Sequence, residues 1–376
     1  MPIRPRLPLT PLRGGAALLA TVLLASACSP GDADPAADTG GGTEGTAVPQ
    51  DSTASPSAPP PDTEPFTVAF GGDVMFEGLL ESRLDDPSTA MGPIADRLSA
   101  ADLAMVNLET AVTEGGTPAP DKQYVFRAPS TALEALDAAG VDVASVANNH
   151  GMDYGEVGLA DTLAAGEASP VALVGAGNDA DEAYTPHIAD VGGQTIALFG
   201  ATDVLDDHLM EAWTAGEGKP GLASVKGEAR ERMLTAVTEA AAQADNVVVF
   251  LHWGLEGSHC PIGHAPTLAE DLIAAGATAV VGGHAHVLSP GGFVGDSYVH
   301  YGLGNFVFYN FDGPTAESGV LTLTFDDGRV TESDWAPARI EGGVPVPYEG
   351  TDADQARTTW EQMRGTCALP LTDSPA

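Results

Sequence analysis

The sequence predicts an α/β domain with a largely parallel sheet, and the alternation of two kinds of segment supports this prediction. Short apolar runs, which are typical of buried strands, alternate with longer stretches that are typical of helices. Strands and helices that alternate along a chain generally form a parallel sheet covered by helices. The predicted buried strands are 66–70, 103–106, 141–146, 196–199, 247–251 and 279–281. The predicted helices between them are 131–139, 228–244 and 266–275.

From about residue 297 the pattern changes to strands joined by short turns. Asp326-Asp327-Gly328 is a turn sequence of this kind. We place the folded domain at 66–345. The predicted strands of this part are 297–308, 320–325 and 329–340.

The N-terminus has the three parts of a signal peptide. Three arginines precede an apolar run at 16–25, which ends in the small residues Ser26 and Ala27. A positive segment, an apolar run and small residues before the cleavage site are typical of secretory signals. The run is too short to cross a bilayer comfortably as a permanent helix. We therefore predict that residues 1–27 are a signal peptide.

Cys28 follows these small residues directly. A Cys in this position resembles the lipobox of bacterial lipoproteins, in which the Cys is lipidated and becomes the mature N-terminus. Ala25 stands three positions before the Cys, and Leu24 lies one step earlier than that family prefers. The resemblance implies an extracytoplasmic protein anchored to the cell membrane by its lipid. The alternative is an ordinary secretory signal with an incidental Cys, which would give a secreted protein.

Residues 28–65 are predicted to be a disordered tether. They are rich in Gly, Pro, Ser, Thr and Asp, and large apolar residues are almost absent, so no core can form there. The proline run at 59–61 makes the last part stiffer. A tether after a lipid-modified Cys would hold the folded domain away from the membrane surface.

The acidic composition limits the partners. The chain has 15 Lys and Arg against 53 Asp and Glu, which gives a formal net charge of −38. Nucleic acid is excluded as a partner, because phosphate backbones are bound by clustered cations. The sequence also contains no Gly-rich phosphate loop followed by Lys and Ser or Thr, so no nucleotide site is seen.

Seven side chains with metal-binding or acid–base chemistry lie just past the carboxyl ends of predicted strands. In open α/β sheets these ends form one edge, and ligands bind there. Residues that are more than two hundred positions apart are therefore expected to meet at one site. The seven are Asp73, Glu109, Asn149, His150, His252, His284 and His286.

The types of these side chains predict a divalent metal ion. Carboxylates, imidazoles and an amide oxygen suit Zn, Mn, Fe or Mg better than Ca. A carboxylate can bridge two ions about 3.5–4 Å apart, so the site would hold one or two ions.

Four further polar residues are candidates for supporting the site. Asn107 and Asp153 would orient the ligands through hydrogen bonds, with turn and cap hydrogen bonding as the alternative. Lys122 and Arg127 are rare cations in this acidic chain. They would either grip a carboxylate or phosphate of a ligand or form surface ion pairs.

Six motifs, in this order, carry a family resemblance: GGDVMF, NLET, ANNHGMDYG, LHWGLE, GGHAHV and YGLGNFVF. They resemble the capsule-synthesis CapA family, which is tied to poly-γ-glutamate production and belongs to the calcineurin-like metallophosphoesterase superfamily. The resemblance implies a four-layer αββα sandwich with a metal centre at one edge of its two sheets.

The resemblance also implies a role for each site residue. Asp73 matches the ligand of the first motif, Glu109 the bridging carboxylate and Asn149 the amide ligand. His150 matches the histidine that supports the leaving group, so the resemblance implies that His150 is the catalytic acid and that the other six residues are metal ligands. The three remaining ligands of the family's pattern match His252, His284 and His286.

One position departs from the pattern of many superfamily phosphoesterases. These carry Asp-x-His in the first motif, whereas this chain has Asp73-Val74-Met75. A thioether is a poor ligand for hard divalent ions. One of the two metal positions therefore lacks an imidazole, and a routine phosphodiesterase activity is not implied.

Three classes of function stay open at this point. The first is metal-dependent hydrolysis or transfer at a phosphate, an amide or a related group. The second is a component of polymer assembly that binds or exports an anionic polymer such as poly-γ-glutamate, together with envelope-synthesis proteins. The third is a non-catalytic, metal-stabilised scaffold module of the cell envelope. The net charge works against the second class, because it repels an anionic polymer.

The last prediction concerns the C-terminal extension, 346–376, in which a helix is predicted at 354–364. Cys260 and Cys367 remain once Cys28 is assigned to the lipid, and an exported protein meets an oxidising environment. We predict a disulfide between them that docks the extension on the domain. The alternatives are one buried and one exposed thiol, or Cys260 as a metal ligand.

Overall fold

The computed structural model describes residues 63–309 and 312–376. The predicted signal peptide, Cys28 and the predicted tether up to residue 62 lie outside the described residues. The last residues of that tether contact the domain, because the backbone N–H of Glu64 donates to the Gly192 carbonyl at 2.8 Å.

The strands in the described part of the chain are numbered in chain order. They are β1 (Phe66–Val74), β2 (Leu103–Leu108), β3 (Ala111–Val112), β4 (Arg127–Ala128), β5 (Val143–Ser145), β6 (Ala172–Val174), β7 (Ala176–Gly177), β8 (His187–Val191), β9 (Gln194–Thr202), β10 (Gly221–Leu222), β11 (Asn246–Trp253), β12 (Ala279–His284), β13 (Gly291–Val294), β14 (Ser297–His300), β15 (Asn305–Val307), β16 (Glu317–Asp326), β17 (Arg329–Glu341) and β18 (Val344–Pro347).

The helices of the same residues lie mostly between these strands. The α-helices are α1 (Ala95–Leu98), α2 (Thr131–Ala138), α3 (Gly155–Glu167), α4 (Ala180–Ala183), α5 (Met210–Trp213), α6 (Ala229–Ala241), α7 (Ala265–Ala275), α8 (Gly350–Glu361) and α9 (Met363–Thr366). Short 3-10 helices lie at Gly78–Asp85, Pro87–Thr89, Gly92–Ile94 and Gly313–Ala316. Among the described residues, no helix combines the length and the apolar character needed to cross a bilayer.

Two large sheets hold most of the strands. The first has the order β18-β17-β16-β1-β2-β5-β6, and β15 also pairs with β1. Its strands β1, β2, β5 and β6 are parallel, whereas β16 and β17 are antiparallel. The second has the order β13-β14-β12-β11-β9-β8, and its central pairs are parallel. The prediction of a largely parallel α/β domain is confirmed for the strands that carry the site.

Three apolar cores give the fold its four layers. One core lies between the sheets, where Phe70 of the first sheet and Phe250 of the second belong to the same cluster. A second core lies on the outer face of the first sheet and includes Leu136 of α2. A third lies on the outer face of the second sheet and includes Leu268 of α7. Alternate residues of each central strand point to opposite faces, so both faces of each sheet are covered. The predicted four-layer αββα sandwich is confirmed.

The prediction of a single strand over 297–308 is wrong. The structure divides this segment into β14 and β15, which belong to different sheets. The chain crosses between the sheets at residues 301–304, where Gly304 has a φ of 70°. Glycine adopts this conformation without the steric cost that a Cβ brings. The Gly304 carbonyl accepts the Asp73 N–H at 3.0 Å, so the crossing also fixes the end of β1.

The C-terminal extension packs on the domain through both covalent and apolar contacts. Cys260 and Cys367 form a disulfide with a Cα–Cα distance of 5.3 Å, as predicted from the sequence. Trp360 of α8 is 4% exposed, and its ring lies 5.2 Å from that of Trp335 and 5.5 Å from that of His300. The extension is therefore held by a buried aromatic cluster as well as by the disulfide.

Candidate metal centre

Asp73 lies at the end of β1, where the chain packs closely against another backbone segment. A Cβ on Gly72 would lie 2.0 Å from the Gly304 carbonyl oxygen, so this approach requires glycine. Asp73 is buried, and its Oδ1 accepts a hydrogen bond from Asn107 Nδ2 at 2.8 Å. Its Oδ2 accepts the backbone N–H of His284 at 3.0 Å. One carboxylate is thus held by β2 of the first sheet and by β12 of the second.

The glycine before His284 lets β12 reach the same carboxylate. A Cβ on Gly283 would lie 2.4 Å from Asp73 Oδ1. His284 and His286 then adopt φ values of 88° and 55°, a left-handed conformation that costs a residue with a Cβ about 1–2 kcal/mol. His286 Nδ1 lies 3.5 Å from Asp73 Oδ2 and 2.8 Å from Asn305 Oδ1. Backbone strain of this kind is typical of functional sites, where it aims side chains.

His252 lies in β11, and both of its ring nitrogens have close polar neighbours. Nδ1 lies 3.1 Å from Asn107 Nδ2. Nε2 lies 2.7 Å from Asn149 Oδ1 and 3.1 Å from His284 Nδ1. His252 is fully buried, so these contacts fix the ring at the junction of the two sheets.

Glu109 lies at the centre of the group, and its buried carboxylate lacks hydrogen-bond donors among the described residues. Its Oε1 lies 3.4 Å from His252 Nε2, 3.8 Å from His150 Nε2 and 3.9 Å from His286 Nε2. Both carboxylate oxygens are buried and have no hydrogen-bond partner among the described residues. A buried carboxylate without donors is costly, whereas a bound cation satisfies both oxygens. The residues therefore fit a metal ion.

Two overlapping sets of side chains have ligand atoms within 4.8 Å of one another. The first is Glu109, His284 and His286, and the second is Asp73, Glu109 and His252. Glu109 belongs to both sets, which is the position that a carboxylate shared between two ions would occupy. Five of the six predicted ligands thus lie in these sets, and the sixth, Asn149, lies beside them through its contact with His252.

The charges of the cluster shift its pKa values in opposite directions. Burial opposes the charged form of Glu109, but the neighbouring imidazoles of His252, His286 and His150 outweigh it and hold its pKa well below the usual value. Burial also opposes the charged form of His286, but Glu109 and Asp73 outweigh it and raise its pKa to about 9. A cation is therefore favoured beside Glu109, either as a proton on His286 or as a metal ion that replaces it.

His150 also faces Glu109, and its ring is held by Asp153 and Phe126. Its Nδ1 lies 2.6 Å from Asp153 Oδ2, while its Nε2 faces Glu109. Its ring stacks on Phe126 with a centroid distance of 3.9 Å. Burial lowers the pKa of His150, and the nearby Lys122 ammonium adds to this, while Asp153 opposes it. This arrangement leaves Nε2 as the ring atom that can exchange a proton with a bound ligand.

The structure also places three side chains whose roles the sequence left open. Met75 is fully buried in the outer core of the first sheet, so its thioether is not part of the cluster. Arg127 is exposed and stacks over Tyr154 at 5.0 Å, in keeping with a surface role. Lys122 fits neither alternative, because its side chain is only 6% exposed and pairs with the buried Asp153.

Sequence reasoning missed three residues that shape the site. Asn148 donates to the Leu108 carbonyl at 2.9 Å and accepts the His150 N–H at 3.0 Å, so it fixes the loop that carries the predicted ligand and acid. Phe126 supports the His150 ring, and Asn305 contacts His286. All three lie in or beside recognisable motifs, but only the folded loops show which way each side chain points.

The four-layer arrangement, with imidazoles, carboxylates and an amide at one edge, is a metallophosphoesterase-like fold with a candidate metal centre. Residues 67–310 match the family model described as bacterial capsule synthesis protein PGA_cap. This match covers more than half of the chain, and the protein therefore belongs to that family. The resemblance to the CapA family is confirmed.

Several bacterial relatives match over most of their length. The PGA biosynthesis protein CapA of Bacillus subtilis (strain 168) is 28% identical over 288 residues, which cover 76% of this chain and 74% of that protein. The capsule biosynthesis protein CapA of Bacillus anthracis is 27% identical over 292 residues, covering 76% and 70% of the two chains. A probable polyglutamine synthesis accessory protein of Mycobacterium tuberculosis is 27% identical over 293 residues, covering 74% and 76%.

The solved structures that match this chain are more distant in sequence. A hypothetical protein from Thermus thermophilus has a TM-score of 0.46 at 19% identity, covering 73% of this chain and 100% of that one. A phosphatase from Mycoplasma pneumoniae has a TM-score of 0.44 at 13% identity, covering 78% and 98%.

Proposed function

We propose that this protein is an exported, metal-dependent enzyme of the hydrolase type that acts in capsule or poly-γ-glutamate synthesis at the cell envelope. The single observation that carries the metal-dependent part is Glu109. Its two oxygens are buried without a hydrogen-bond partner among the described residues, and three imidazoles lie within 3.9 Å of Oε1. The family membership and the relatives named for capsule or polyglutamate synthesis support the biological setting.

The six predicted ligands would hold one or two divalent ions. Such an ion, when bound, supplies positive charge that polarises a phosphoryl or carbonyl oxygen. The remaining chemistry belongs to His150, whose Nε2 faces Glu109 while Nδ1 is held by Asp153. In this orientation the ring, when it also carries a proton at Nε2, can deliver that proton to a leaving group at the Glu109 side. Phe126 covers one face of the ring and keeps water from it.

The alternative is a metal-stabilised module that binds an envelope polymer without turnover. Met75 favours it, because this side chain is buried in the core and the first motif contributes only Asp73 to the candidate ligand sets. Both proposals require the metal, and they differ in turnover. A chromogenic phosphodiester and poly-γ-glutamate, each incubated with the metal-loaded protein, are the probes that separate them.

Metal analysis of protein purified without chelator tests the metal site. We expect near-stoichiometric transition metal in the wild type and its loss in His284→Ala, because the imidazole belongs to the candidate ligand set. The matched control is His187→Ala, since His187 lies on the edge strand β8 outside the cluster. Wild-type protein of native circular dichroism that holds no metal would contradict the proposal, as would full metal retention by His284→Ala.

The cellular location is a separate part of the proposal. The signal sequence and Cys28 support export and lipid anchoring. Metabolic labelling with a radioactive fatty acid should mark the wild type and not Cys28→Ser, which should then appear in the medium. Labelling that persists in Cys28→Ser would refute the anchor.

A further inference from the structure

Lys122 is a buried cation that lies beside Nδ1 of His150, the candidate catalytic residue. It lies in the connection between β3 and β4, and its side chain is 6% exposed. Its Nζ donates to Asp153 Oδ1 and to the Asn149 carbonyl, and lies 3.2 Å from His150 Nδ1. The Trp213 ring lies 5.2 Å from Nζ and covers another side of it.

Burying an ammonium is costly unless charged and hydrogen-bonding partners compensate. Asp153 supplies the charge and is itself fully buried. Burial lowers the pKa of Lys122, while Asp153 opposes this shift. A buried ion pair of this kind contributes little to stability compared with two apolar side chains of similar size. We therefore attribute the Lys122–Asp153 pair, which lies beside the cluster, to positioning and not to stability.

The contacts of Asp153 join two loops into one rigid unit. Besides Lys122 and His150, its Oδ2 accepts the Phe126 N–H at 2.6 Å, and its backbone carbonyl accepts the Ala119 N–H at 2.8 Å. The loop that begins after β3 is thereby fixed to the loop that carries Asn149 and His150.

Lys122 is not placed to bind a substrate. Its ammonium lies on the Nδ1 side of His150, whereas Nε2 on the opposite side faces Glu109. Asp153, Asn149 and Trp213 surround it.

We propose that Lys122 is a positioning residue that holds the Asn149 backbone, and with it the Asn149 amide oxygen, at the metal site. The proposal rests on the proposed metal function. Asn149 Oδ1 lies 2.7 Å from His252 Nε2, so a shift of its backbone changes the distance between two candidate ligands. Partners that orient metal ligands typically contribute about 10–100-fold to metal affinity.

The test compares metal binding by the purified full-length proteins: the wild type, Lys122→Met and Lys122→Arg. Lys122→Met keeps the apolar stem and removes the charge, and we expect its affinity for Mn²⁺ or Zn²⁺ to fall about 10–100-fold. Lys122→Arg keeps a cationic donor and should recover part of the loss. Lys219→Met is the matched control, because the Lys219 ammonium binds the Glu211 carbonyl outside the cluster.

A spectroscopic readout separates positioning from general stability. The visible absorption of bound Co²⁺ depends on the number and geometry of its ligands, so Lys122→Met should change it, whereas Lys219→Met should not. If Lys122→Met does not fold, Lys122→Gln, whose neutral and shorter side chain removes the ammonium from the Asn149 carbonyl, must show the same changes.

The outcomes distinguish this inference from the proposed function. Wild-type protein that binds no metal refutes the proposed function and the inference together. Wild-type binding combined with unchanged affinity and an unchanged Co²⁺ spectrum in Lys122→Met refutes the inference alone.

Discussion

Replacing Cys260 and Cys367 with serine tests how the C-terminal extension is held. The disulfide closes a loop across a sequence separation of 107 residues. In the chain-entropy model, a loop of this length restrains the unfolded chain by about 16 cal/mol/K, or about 4.8 kcal/mol at 25 °C. With an unfolding entropy of about 2.1 cal/mol/K per residue for the folded domain, the expected drop in Tm is roughly 7 °C.

The assay is thermal unfolding of the double serine variant and the wild type, followed by circular dichroism. The native extension should stay docked in the variant, because Trp360 packs on Trp335 and donates its indole N–H to the Ser289 carbonyl at 2.9 Å. Reductant should lower the wild-type Tm to that of the variant and leave the variant unchanged. An equal Tm for both proteins would refute the entropic argument. Proteolysis of the native variant's extension would refute the docking by Trp360.

Three further predictions concern single positions. His300 is fully buried, and burial followed by the charge of Arg364 lowers its pKa to about 3. Below about pH 6.5 the folded state therefore binds fewer protons at His300 than the unfolded state does. The free energy of unfolding is not reduced by this group above about pH 6.5, and it falls by about 1.4 kcal/mol per pH unit below that pH. Urea unfolding of His300→Phe between about pH 7 and pH 5 should show a smaller loss than the wild type, and an equal loss would contradict this. Gly72→Ala should prevent folding or metal binding because its Cβ would meet the Gly304 carbonyl oxygen, and a soluble, metal-loaded variant would disprove the argument. His150→Ala should abolish most turnover while metal content stays nearly unchanged, and equal rates for the two proteins would remove His150 from the mechanism.

The position of the site was predictable because each site residue lies at or just after the carboxyl end of a strand. Asp73, Glu109 and His252 come at or after the ends of strongly apolar runs, and parallel strands bring those ends to one edge. The pattern therefore predicted the α/β class and the cluster, whereas the four-layer arrangement was implied by the family resemblance. Strand β1 extends beyond its apolar run to Val74, because its pairing with β2 is irregular at Gly71 and Gly72 but resumes at Asp73.

Other features depend on contacts that a linear pattern does not contain. Segment 297–308 is apolar on both sides of Gly302 and Gly304, so nothing in its pattern reveals that the chain changes sheets there. Helix α3 (Gly155–Glu167) contains several glycines and lacks a strong apolar stripe, so the sequence pattern does not predict it. The role of Lys122 follows from the loop conformation, which places its ammonium inside and not at the surface.

The central claim is that Glu109 and its neighbours hold a metal ion. Crystals of protein purified without chelator, measured on either side of the absorption edge of the metal found by elemental analysis, test this most directly. We predict an anomalous difference peak within bonding distance of Glu109 and of nitrogen atoms of the His252, His284 and His286 rings. Well-ordered crystals with no peak there, or a peak bound by other residues alone, would contradict the account.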